Sequence, residues 1–123
     1  MSKEREGRIH ALGTLTEKGF NVVKSAAGER ARSAFIVGGN KPIIISTSST
    51  EGNLEFQSHP AQLHQAKYIF AYVLVHYPTK SIYIMPGEDY RKKVEEQVEK
   101  GPDNVRIWIT VDEKYKDNFK ILR

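Results

Sequence analysis

Hydrophobic and polar positions repeat along the chain with two periods. In "EREGRIHALGTLTEKGF", Ile9, Leu12 and Leu15, with Ala11 at a shorter step, fall on one side at helical spacing. This predicts a helix over residues 4–18 that stops at Gly19, a residue common just past helix ends. Gly7 and Gly13 weaken such a helix, which implies close packing against the face that carries them. Three short runs rich in β-branched and aromatic residues follow, "FNVVKS", "SAFIVGG" and "KPIIIST". Turn-forming "AAGERAR" and "GGN" separate them, which predicts a three-stranded meander. "SSTEGNLEFQSHP" reads as a loop with a short strand, and "PAQLHQAK" as a short helix with Pro60 at its permitted start.

The second half alternates differently. "YIFAYVLVHY" is apolar without interruption from Tyr68 to Val75, the mark of a strand covered on both faces. "PTK" turns the chain and "SIYIMP" returns as the neighbouring strand. "EDYRKKVEEQVEK" places Tyr90, Val94 and Val98 four apart on a polar helix, "NVRIWITV" is a last strand, and "DEKYKDNFKILR" is a short helix or extended tail. The order predicts one α/β domain over residues 1–123, a mixed sheet flanked by helices, with no repeat and no low-complexity linker.

At 123 residues the chain suits one core, and a hydrophobic fraction of 39% with 28% charged residues is that of a globular protein. No run approaches the roughly 18 apolar residues of a membrane span, and "MSKEREGR" lacks the apolar stretch of a secretory signal. Both lead to the expectation of a cytoplasmic protein without a membrane partner. With no cysteine, disulfides, thiolate metal sites and cysteine nucleophiles are excluded. Residues 1–50 hold eight Lys/Arg against four Asp/Glu and so carry the whole net charge of +4. An excess of that sign suits an anionic partner, although exposed lysine and arginine are ordinary on any surface.

Chemical motifs are sparse. There is no glycine-rich phosphate loop and no Gly-x-Ser-x-Gly, and "GERARSAF" offers a serine without a positioned base. His59 and His64 lack a third ligand, so a metal site there is disfavoured, while His10 and His76 read as local hydrogen-bonding groups. Arg91, Lys92 and Lys93 face "EEQVE" and read as a salt-bridged solvent face. Tyr68, Tyr72, Tyr83 and Trp108 would make a base-stacking platform if exposed; their strands read as buried, which favours core packing.

The stretch "EKGFNVVKSAAGERARSAFIVGGNKPIIIS", followed by "YIFAYVLVHYPTKSIYIMP", resembles the PD-(D/E)XK nuclease superfamily, particularly archaeal-type Holliday-junction resolvases and related restriction-like endonucleases. The resemblance runs from about Gly7 to Tyr90, and "KGFNVVKS" before a basic turn is its most recognisable part. It implies a restriction-endonuclease-like αβββ core and a site in which the second strand carries an aspartate and the third carries Glu-x-Lys. The first helix of such proteins often adds a glutamate. Those carboxylates hold Mg²⁺ and the lysine assists in activating water. Placed on this sequence, the aspartate position is Ala34, the Glu and Lys positions are Ser46 and Ser48, and the helix acid falls at Arg8. All four are changed, and a register error of one residue restores no carboxylate.

The expectation is therefore a catalytically inactive nuclease-like protein with no cofactor and no bound metal. Its predicted DNA contacts are Arg5, Arg8, Lys24, Arg30, Arg32 and Lys41, with Ser46, Thr47 and Ser48 as hydrogen-bond donors to phosphate. Its partner is duplex or branched DNA, or a DNA-repair or recombination protein, and the resemblance to resolvases implies a homodimer. Two alternatives stay open. One is an active nuclease whose acids have moved to Glu4, Glu6, Glu51 or Glu55; the other is a non-catalytic subunit that uses the fold for protein contacts, as the comparably small tRNA-splicing endonuclease domains do.

Overall fold

The computed structural model describes residues 3–25, 34–49, 54–58, 66–100 and 107–123. Helix α1 (Lys3–Glu17) is followed by β1 (Val22–Lys24), β2 (Ala34–Val37) and β3 (Lys41–Ser48), an antiparallel meander. A crossover then carries β4 (Glu55–Ser58) and a 3₁₀ turn (Ala66–Tyr68), and returns as β5 (Ala71–His76), parallel to β3. β6 (Ser81–Pro86) pairs antiparallel with β5, and α2 (Gly87–Lys100), β7 (Ile107–Thr110) and two 3₁₀ turns (Glu113–Tyr115, Phe119–Leu122) complete the chain. The main sheet runs β1-β2-β3-β5-β6, and β4 and β7 form a separate two-stranded sheet.

Strand alternation divides the apolar residues between two cores. On one face, Ile43, Ile45, Ala71, Val73, Val75, Ile82 and Ile84 pack against Ala11 and Leu15 of α1 and against Phe119 and Leu122. On the other, Tyr72, Leu74, Tyr83 and Met85 meet Phe56, Tyr90, Val94, Ile107 and Ile109 from the β4–β7 sheet and α2. Every residue of β5 is buried, as its unbroken apolar run requires. The C-terminal segment lies along the outer edge of β6, where Tyr83 bridges Lys116 and the Asp117 amide donates to the Ile82 carbonyl at 2.9 Å. That contact covers an edge otherwise open to pairing.

Helix α1 stops through a pair of backbone bonds. The Gly19 amide donates to the Thr16 carbonyl and the Phe20 amide to the Leu15 carbonyl, both at 3.0 Å, with Gly19 at φ +89°. Its buried stripe corrects the helical reading: Gly7, Ala11 and Leu15 face the sheet, while Ile9 is 52% exposed. The stripe is set by small size rather than bulk. A Cβ on Gly7 would stand 2.4 Å from Thr47 Oγ1, whereas one on Gly13 would meet nothing within 4 Å, so only Gly7 marks a close approach. Gly7→Ala is expected to cost about 2 kcal/mol net of the helix propensity it gains. Thr47→Ala should recover much of that loss in a double-mutant cycle read by chemical denaturation; additive losses would refute the contact.

Burial also sets how the fold responds to alkali. Tyr115 donates to Asp89 at 2.8 Å. Burial, and then this carboxylate, push its phenol up to about 12. Burial raises Tyr72 and Tyr90 as well, with the neighbouring Tyr90 adding to the effect on Tyr72. The folded state holds these protons more tightly than the unfolded chain, in which tyrosine titrates near 10. Their contribution is therefore complete below about pH 10 and is lost as the pH rises through the folded values. Thermal melts from pH 9 to 12 should show a falling Tm, and Tyr115→Phe should make the fall shallower; a flat profile would contradict this assignment.

Candidate nucleic-acid interface

The parallel strands β3 and β5 end side by side, with Ser48 opposite His76, and the first turns of α1 sit at the same end of the sheet because Gly7 rests on Thr47. Alternation sends Thr47 toward α1 and Ser46 and Ser48 to the opposite face. Thr47 Oγ1 lies 3.5 Å from the Glu4 carbonyl. The Ser48 hydroxyl donates to the Glu55 carbonyl of β4 at 2.8 Å, and its own carbonyl accepts the Tyr77 amide at 2.8 Å. Ala34 pairs with Ile44, two residues before Ser46 on the same face of β3. Ala34, Ser46 and Ser48 thus line one face of the sheet, where they carry a methyl and two hydroxyls.

The acids near this end lie on different faces. Glu6 accepts a hydrogen bond from the Tyr77 hydroxyl on the α1 side, and this bond holds the phenol above its ordinary range. Glu4 is exposed on the same helix. Glu55 belongs to β4 on the far side, and Glu51 lies outside the described residues. Among the described residues, no three His, Asp or Glu side chains gather in a cluster that would hold a metal ion. The donor set described does not fit the divalent ion that the nuclease resemblance implies, which requires several hard oxygen ligands converging on one point.

The predicted cations separate into groups. Arg5 is exposed and Arg8 half-buried on the first turns of α1. Arg8 therefore stands across the sheet from Ser46 and Ser48 rather than beside them. Lys24 is exposed at the end of β1, in register with Phe35, which in turn pairs with Ile43. Ser25 follows it and donates its amide to the Ala34 carbonyl at 3.1 Å, so this edge leads toward the serine end. Arg30 and Arg32 lie outside the described residues, as do His59 and His64. Lys41 begins β3 and is therefore at the other end, with its ammonium 5.9 Å from the centre of the Phe70 ring. From Pro42 to Ser48 the strand spans about 20 Å.

Two further expectations change. Tyr72 and Tyr83 are core residues, but Tyr68 is 78% exposed and Trp108 46% exposed. The apolar run is broken at Tyr68 by the 3₁₀ turn, which buries Ala66 instead, and Trp108 points outward between the buried Ile107 and Ile109. His76 makes the local hydrogen bond expected, its Nδ1 lying 3.0 Å from Thr79 Oγ1, whereas His10 reaches across the fold, its Nε2 lying 3.0 Å from the Lys80 carbonyl.

Comparison with solved structures places this architecture beside a bacterial homing endonuclease, I-Ssp6803I, with a TM-score of 0.59 at 13% sequence identity. The match covers 98% of this chain and 88% of that one. The chain has a nuclease-like fold. No family profile matches it, and no curated protein matches it. At such low identity the likeness is one of fold, and the nuclease-like domain consists of a mixed central sheet flanked by helices. No described helix is long and apolar enough to cross a membrane.

Proposed function

We propose that this chain is a catalytically inactive relative of the PD-(D/E)XK resolvase-like nucleases that binds DNA through the basic residues of its N-terminal half. The observation that carries the reading is the shared face of Ala34, Ser46 and Ser48. The strand frame of a nuclease site is kept, its side chains are small and neutral, and the Ser48 hydroxyl is engaged by the Glu55 carbonyl. Small neutral side chains at these three positions repel phosphate less than carboxylates there would, and each Lys or Arg that neutralises a phosphate adds affinity through counterion release. Lys24 on the edge leading to the serines, and Arg5 and Arg8 on the α1 side of the same end of the sheet, are the described residues assigned to contact phosphate around that end, with Arg30 and Arg32 completing the set. Lys41 is left out, because it stands about 20 Å from the serines along β3.

These contacts would position DNA without reading its sequence. The nuclease fold of the homing endonuclease neighbour supports a DNA-related role, and branched DNA is the preferred partner by resemblance to resolvases. A homodimer is part of the same proposal. The test is binding of a labelled four-way junction and a matched duplex across a salt series with EDTA present. The affinity should fall steeply with salt, and each of Arg5→Ala and Arg8→Ala should reduce the slope of log affinity against log salt by about 1. Junction preference would support the resolvase-like form. No binding at low salt would overturn the reading in favour of a protein-interaction subunit.

A further inference from the structure

A second surface lies at the opposite end of the sheet from the serines. An open groove of about 550 Å³ is formed where the start of β3, the 3₁₀ turn and the first turns of α2 meet. Lys67, Tyr68, Phe70, Glu88 and Arg91 line it. Its size is that of an ordinary small-ligand pocket. Two aromatic rings are presented to solvent here, Tyr68 at 78% and Phe70 at 43% exposure. Lys41 lies over the Phe70 ring at 5.9 Å. The groove's acid, Glu88, is 3.7 Å from Lys92 and so is partly neutralised. Arg91 lines the groove, and its Nε is buried and makes no hydrogen bond among the described residues, an unusual state for a buried donor.

The platform is held by backbone contacts. The Phe70 amide donates to the Pro42 carbonyl at 2.7 Å, and its carbonyl accepts the Gly87 amide at 3.0 Å, tying the ring's backbone to both β3 and α2. A ring fixed before binding loses little freedom on contact. Exposed aromatic faces interleaved with cations are the arrangement on which successive bases stack while phosphates meet positive charge.

We propose that this groove binds an unpaired nucleotide segment of single-stranded DNA, with a base stacked on Tyr68 or Phe70 and phosphate held by Lys41, Lys67 and Arg91. The site is separate from the duplex surface assigned to Arg5, Arg8 and Lys24, and it does not depend on that surface. The complementary sign of the lining favours a polyanion, and the exposed rings favour one that carries bases over an acidic peptide.

The test is fluorescence anisotropy with labelled (dT)₁₂, an abasic strand of the same length, and polyglutamate as competitor. Tyr68→Ala, a change at an exposed position whose folding is checked by circular dichroism, should weaken (dT)₁₂ binding about tenfold. Arg91→Gln should weaken it as well. The abasic strand should bind more weakly than (dT)₁₂. Equal affinity for the abasic strand, no effect of Tyr68→Ala, or displacement of (dT)₁₂ by polyglutamate at matched charge would overturn the proposal. Loss of duplex binding with (dT)₁₂ binding intact would count against the duplex surface alone and leave this site standing.

Discussion

Gly87→Ala is expected to destabilise the protein by about 3 kcal/mol, with a fall in Tm of roughly 10 °C. An added Cβ would stand 2.0 Å from the Ile69 carbonyl oxygen and 3.2 Å from that of Ala66. Both obstacles are backbone atoms, so no rotamer change relieves the overlap, and either the 3₁₀ turn or the start of α2 must move. The same residue donates its amide to the Phe70 carbonyl, so the substitution also disturbs the junction that presents the Phe70 ring. The measurement is a denaturant titration of both proteins. Gly13→Ala is the natural comparison, because a Cβ there meets nothing within 4 Å and should stabilise helix α1 by up to about 1 kcal/mol. Similar effects at the two glycines would show that the close approach at Gly87 is wrong.

Tyr72→Ala should cost about 4 kcal/mol, the range for removing a large aromatic side chain from a core. Tyr72 is 1% exposed, and its ring stacks on Tyr90 with centroids 3.7 Å apart and planes 9° from parallel. Tyr90 in turn donates to Ser58 Oγ at 2.7 Å. This column joins β5, α2 and β4, so its loss loosens the layer opposite α1. Tyr72→Phe keeps the stack and should cost far less. Chemical denaturation of the two variants separates these outcomes, and equal losses would place the stabilisation in the hydroxyl rather than in the ring.

Much of the fold is legible in the sequence where bulk and alternation decide it. The apolar run around Val73 reads as a strand covered on both faces, and the short apolar runs at residues 35–37 and 43–45 on either side of "GGN" read as neighbours in a meander. Helix α1 was harder because its buried stripe begins at Gly7, a residue that hydrophobic periodicity does not count. Its place against Thr47 follows from having no side chain, so Ile9 was assigned inward when it faces out. Tyr68 illustrates the opposite error, since an apolar run that looks continuous in sequence contains a 3₁₀ turn which points this residue to solvent. That Ser46 and Ser48 share a face was legible from strand alternation, whereas the place of Ala34 on that face follows from its pairing with Ile44. The separation of Lys41 from the serines is legible too, since Pro42 to Ile45 stand between it and Ser46 on an extended strand. The unsatisfied Arg91 donor has no sequence signal, as it depends on how α2 meets the 3₁₀ turn.

Whether this nuclease-like fold holds DNA without cutting it is decided by one assay. Labelled four-way junction and duplex are incubated with the protein in Mg²⁺ or Mn²⁺, and bound complex and strand integrity are read from the same samples on native and denaturing gels. The account predicts retarded complexes with intact strands in every condition. Strand cleavage that disappears in Glu6→Gln or Glu55→Gln would contradict it and establish an active nuclease with relocated carboxylates.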